Sequence, residues 1–198
     1  MKETPISHKN IPDEELARTV QTNPPPSSEG ERAFAEIMSR YEPRLMRYGS
    51  KFLFDSAHIE DSVQDVFIKV YQNMQSFDAA RKFSPWIYRI AHNEFVNALK
   101  KLSRGAVPVF DFDTLVAHEI YEDPTDEEKE KEEMIVLLNK GLKTLSAAYR
   151  EVMILRYLED LSYQEIADVL AVPVGTVGVR ILRARSQLRE YVKRQQSL

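Results

Sequence analysis

The 198-residue chain contains no cysteine. That excludes a disulfide framework, a thiolate metal site and a cysteine nucleophile, and it fits a reducing compartment. No apolar run approaches the ~20 residues that a bilayer-spanning helix needs. The opening MKETPISHKNIPDEE also lacks the hydrophobic block of a secretory signal. A cytoplasmic location without membrane insertion is expected. Glycine is scarce, with six residues, and none builds a phosphate-cradling loop. His8, His58, His92 and His118 show no ligand spacing, and the many carboxylates form no set spaced for metal binding or acid–base work. An enzyme acting on nucleic acid or nucleotides therefore has little support, and no catalytic residue, metal or cofactor is expected. β-alternation is absent beyond a weak VPVFDF. What remains is an all-α fold, of a length that suits two small domains.

The formal net charge of −4 argues weakly against a polyanionic partner, but the charges are segregated. From Arg81 to Arg104 six basic residues, Arg81, Lys82, Arg89, Lys100, Lys101 and Arg104, face the single acid Glu94. From Asp111 to Glu133 acids dominate, with only Lys129 and Lys131 against them, and Arg180 to Arg194 is basic again. Two cationic patches flanking an acidic connector predict two contacts on one polyanion and a tether that it repels.

Helical spacing organises the chain. IPDEELARTVQT carries Leu16 and Val20 four apart with acids in its first turn, and NPPPSSEGE then breaks the pattern. From Glu31 a helix is expected on Phe34, Ile37, Met38, Tyr41, Leu45, Tyr48 and Phe52, with Pro43 inside it. Another runs from about Ala57 to Gln75 on Ile59, Val63, Val66, Phe67, Val70 and Met74, its other face carrying Asp61, Gln64, Asp65 and Lys69. Ser84 and Pro85 are expected as N-cap and first position of a fourth helix. The connector from Ser103 to about Thr125 has no sustained period and is expected to be an acidic, flexible linker. Helical patterns resume over 134–142, 147–158, 163–170 and about 173–192.

Two motifs carry function. In LSYQEIADVLAVPVGTVGVRILRAR, Ser162 and Glu165 form a capping box, Ala167 permits close helix approach, Ala171 occupies the turn and Val177 plugs the angle. This is helix-turn-helix spacing, whose second helix fits a major groove. Arg180 and Arg183 fall near one face, with Thr176 a turn earlier. In FDAARKFSPWIYRIAHNEFVNALKK, Phe77, Phe83, Trp86 and Tyr88 with Arg81, Lys82, Arg89 and Lys100 combine stacking surfaces and cations. Asn93 and Asn97 are placed to bond base edges. Most of Trp86 is expected in the core with an edge exposed, and His92 as a polar contact and not a metal ligand.

In this order, HIEDSVQDVFIKVYQNMQSF, FSPWIYRIAHNEFVNALKK and LSYQEIADVLAVPVGTVGVRILRARSQLRE resemble the extracytoplasmic-function group of bacterial sigma factors, over nearly the whole chain from about Asp13. The resemblance implies two small helical domains: sigma domain two over 31–103, after an N-terminal segment 1–30, and the helix-turn-helix domain four over 128–198, joined by a linker over 104–127. It places Asp61, Gln64, Asp65 and Phe67 on or beneath the helix that docks on core RNA polymerase. It matches Arg81, Lys82, Phe83, Trp86, Arg89 and Asn93 to the loop and helix that capture a flipped base in the minus-ten element, Asn97 and Lys100 lying further along that helix. It matches Thr176, Arg180, Arg183 and Arg185 to the helix that reads the minus-thirty-five element of promoter DNA. It also implies an anti-sigma factor as antagonist. Where the family commonly has a basic residue and a serine after GTV, this chain has Gly178 and Val179, which predicts an altered upstream contact. NPPPSSEGE is also longer than the family's usual turn. A stand-alone helix-turn-helix regulator is the alternative, and it leaves the front half without a role.

Overall fold

In the computed structural model the described residues are 11–53, 55–102 and 126–196, and among them the regular structure is helical, without strands. The chain divides into two units, Met1–Pro108 and Val109–Leu198. Most of the connector expected over 104–127, with VPVFDF inside it, lies outside the described residues. Its last positions already belong to a helix that begins at Asp126, ahead of the expected start at Met134.

The first unit holds α1 (Asp13–Thr22), α2 (Ser28–Gly49), α3 (Ser56–Asn73), a 3-10 turn (Met74–Ser76) and α4 (Phe83–Leu102). α1 buries Leu16, Ala17 and Val20 against α2 and touches α4. Polar contacts fasten it there. Arg40 donates to the Ile11 carbonyl and to Asp13, both at 2.7 Å, and the Tyr41 hydroxyl donates to Asp13 at 2.7 Å. Burial and that bond push the Tyr41 hydroxyl well above its ordinary pKa, so it stays a donor. Gln21 donates to the carbonyls of Met74 and Phe77 at 2.8 and 2.7 Å, tying the end of α1 to the corner between α3 and α4.

α2 begins at Ser28, not Glu31, so the proline break is only Asn23–Ser27. Its first turn lies so close to that break that a Cβ on Gly30 would stand 1.8 Å from the Asn23 carbonyl oxygen. Gly30→Ala is therefore expected to destabilise the first unit by about 1–3 kcal/mol, despite alanine's better helix propensity. A thermal melt showing an unchanged or raised midpoint would contradict this steric account. Pro43 sits within α2, which continues through it. The core is aromatic, with Tyr48 edge-on to Phe52, Tyr88 and Phe95 at 5.3, 5.3 and 5.8 Å.

The second unit holds α5 (Asp126–Thr144), α6 (Ala147–Tyr157), α7 (Tyr163–Leu170) and α8 (Val174–Gln196). α8 packs on the other three, burying Val177, Ile181, Ala184 and Leu188. Arg150 turns inward and donates to the carbonyls of Leu142, Lys143 and Leu145 at 2.8, 2.9 and 2.7 Å, closing the end of α5. A cation there suits the helix dipole, although burial pulls its pKa down.

Candidate nucleic-acid interface

α7 and α8 owe their geometry to local chemistry. The Ser162 Oγ accepts from the Glu165 N–H at 3.3 Å and Glu165 accepts from the Ser162 N–H at 2.7 Å, which is the predicted capping box. α7 stops at Ala171, whose left-handed conformation (φ 52°) turns the chain at a cost of ~1–2 kcal/mol for a non-glycine residue. Val177, fully buried, is the wedge between the two helices. At about 100° per residue, Thr176, Arg180 and Arg183 share an arc of roughly 60° on α8. Arg185 does not join them. It lies about 140° or more round the helix, across a shallow hollow that Leu182, Arg183, Ser186 and Arg189 also line. Of the four residues expected on this helix, three form one row and Arg185 belongs to a second with Arg189, which sequence reasoning passed over. Tyr149 was also missed: its hydroxyl lies 3.4 Å from an Arg183 guanidinium nitrogen, so α6 helps to aim that arginine.

In the first unit the structure gathers more of the expected residues. Trp86, Arg89, Asn93, Asn97 and Lys100 fall within an arc of about 80° on α4, opposite the buried row Ile87, Ala91 and Phe95. Trp86 is half-buried, its ring 5.0 Å from Phe77 and 5.4 Å from Phe83, with part of it open to solvent as expected. Phe83 and Tyr88 are fully buried and Phe77 nearly so. None of these three can offer a stacking face; Phe77 and Phe83 hold Trp86 in place instead, and Tyr88 packs on Tyr48. The expected cap also differs. α4 starts at Phe83, one residue before Ser84, and the Phe83 N–H donates to Glu14 of α1 at 2.9 Å. The capping oxygen thus comes from a distant helix. Arg81 and Lys82 sit exposed in the loop before α4, Arg81 within 3.7 Å of Asp78. Glu94, the one acid of the basic stretch, is bonded by Lys69 of α3, which removes its charge from the patch. His92 is a polar contact, 3.2 Å from the Tyr48 hydroxyl.

On α3, Asp61, Gln64 and Asp65 are exposed, whereas Phe67 is buried beneath them. A groove between α2 and α3 is lined by Met38, Glu42, Pro43 and Met46 on one side and Glu60, Val63, Gln64 and Phe67 on the other. Ile68, 53% exposed on the same face, was missed. An apolar residue four positions after Gln64 in an otherwise polar row is the signal that would have found it.

Two family models match these elements: Sigma-70 region 2 over residues 37–105 and Sigma-70, region 4 over residues 135–188. The ECF RNA polymerase sigma factor SigW of Bacillus subtilis is 36% identical over 170 residues, covering 81% of this chain and 89% of that protein. The chain is an extracytoplasmic-function sigma factor of the sigma-70 family. The ECF RNA polymerase sigma-E factor of Escherichia coli is 32% identical over 170 residues, 82% of this chain and 88% of that one. Among solved structures, the sigma factor RpoE from Bartonella quintana, in complex with the anti-sigma factor NepR, superposes with a TM-score of 0.62 at 25% identity, covering 81% of this chain and 96% of that one. CnrH, in complex with the cytosolic domain of CnrY, shares the fold with a TM-score of 0.61 at 23% identity, over 91% and 97% of the two chains. This sigma factor accordingly works with core RNA polymerase and promoter DNA. Among the described residues no helix is long and apolar enough to cross a membrane.

Proposed function

We propose that this sigma factor divides its tasks between the surfaces just described. The α4 row, with Arg81 and Lys82 before it, takes the minus-ten element, where Trp86 offers an exposed ring edge to an unstacked base and the cations hold the backbone. α8 lies in the major groove of the minus-thirty-five element, and the α3 row Asp61, Gln64 and Asp65 over Phe67 docks on core polymerase. The observation that carries this reading is the α4 row. Two asparagines and two cations are aligned with the open edge of the half-buried Trp86 ring on the arc opposite the buried row, an alignment that burial in the core does not explain. The protein acts in the cytoplasm as a specificity subunit and not as an enzyme. Because the RpoE relative is held by an anti-sigma factor, this chain is assigned an antagonist of the same kind. A stand-alone regulator using α7 and α8 leaves α1 to α4 idle and is not favoured.

Run-off transcription with core polymerase over a library of promoters tests the reading. Transcripts are expected from a subset of templates that share an upstream and a downstream element. Protein that fails to bind the core enzyme, or binds it and starts no transcript anywhere, would overturn the assignment.

A further inference from the structure

Two of the α8 residues that point away from the core are apolar and exposed, with Ser186 following them along the same face. Val179 is 49% exposed and Leu182 71%. Helical periodicity sets them together on the side away from Val177, Ile181 and Ala184. The row of Arg180 and Arg183 borders them on one flank, and Arg185 with Arg189 borders them on the other. An isolated exposed leucine needs no explanation. An apolar strip between two rows of guanidinium groups, on the second helix of a helix-turn-helix, is a surface matched to a particular ligand.

That ligand is the major-groove edge of A·T pairs. The C5 methyl of thymine is the apolar group which that groove presents, and phosphates line both of its rims. Valine and leucine cannot bond guanine O6 and N7 or adenine N6 and N7, so hydrogen-bond readout at the centre of this helix is missing. We infer that this sigma factor reads its upstream promoter element chiefly through thymine methyl groups packed on Val179 and Leu182, with the two arginine rows held to phosphates. The inference rests on α8 being the duplex-reading helix. Gly178 agrees with it. A Cβ there would meet only the Tyr163 ring, at 3.8 Å, so the fold does not require glycine, and its bare backbone next to Val179 lets the helix approach the bases closely.

The test uses holoenzyme assembled from core polymerase and the full chain. A library randomised in the upstream element is first selected for binding. The enriched duplex is then rebuilt with deoxyuridine in place of thymidine, which removes the methyl groups and leaves every hydrogen-bonding group intact. Binding is expected to weaken about fourfold for each contacted thymine. Val179→Ser and Leu182→Asn, both at exposed positions, are expected to abolish that sensitivity to deoxyuridine. Equal affinity for the two duplexes, or an enriched element without thymine on either strand, overturns methyl readout while leaving α8 as the DNA-binding helix. If no upstream sequence is enriched at all, the duplex-reading role of α8 itself falls.

Discussion

Replacing Arg180 and Arg183 together by alanine is expected to weaken upstream promoter binding by the holoenzyme on the order of a hundredfold, while core polymerase binding is unchanged. Both side chains lie on the solvent side of α8, and Arg183 is steadied by the Tyr149 hydroxyl. Neither belongs to the core, so the melting temperature should hold. With the arginines on phosphates, the slope of log affinity against log salt should fall by about two, near one for each contact removed, while the preferred sequence stays the same. A relaxed sequence preference at an unchanged slope would place them on bases instead. Lost polymerase affinity would place them on the other partner.

Phe83→Ala should have the largest effect on the fold. Phe83 has no exposed surface, and its ring contacts those of Tyr41, Phe77 and Trp86 at 5.5, 5.2 and 5.4 Å. Truncating a buried phenylalanine costs about 3–5 kcal/mol, against a domain's net stability of roughly 5–15 kcal/mol. A fall in melting temperature of about 10 °C or more is expected. Trp86→Ala provides the contrast. Its ring is half-buried, so the fold should survive with a smaller loss, but the exposed edge is gone. Open-complex formation on duplex promoters should drop, and a template already unpaired across the minus-ten element should restore much of the activity. A Trp86→Ala variant as active as wild type on duplex templates would remove the indole from promoter opening.

Much of this protein is legible along the chain because its helices are built from local rules. The three- and four-residue apolar spacing of α2, α3 and α4 is a direct consequence of the helical repeat, and the Ser162–Glu165 box needs only residues three apart. The alignment of Trp86, Arg89, Asn93, Asn97 and Lys100 follows from the same repeat. So does the separation of Arg185 from Arg183, which counting round the helix would have revealed. Other features depend on partners far away in sequence. Ser84 was the expected cap because it stands in the right local place, yet the oxygen that meets the first turn of α4 belongs to Glu14. Phe83 and Tyr88 had the same aromatic character as Trp86, and nothing in their own neighbourhood marks them as buried.

The order of residues alone accounts for helix positions, the hinge at Ala171 and the sign of charge on each surface, since all of these depend on interactions within a turn or two. Packing between elements settles which aromatic keeps an exposed edge and what closes the start of α4, whose partner stands 69 positions away, and the chain folding back at Asn23 leaves Gly30 no room for a methyl group. Periodicity assigns a residue to a side of its helix. It carries no information about which other helix covers that side, because that choice is made by the shape and volume of the whole packed unit.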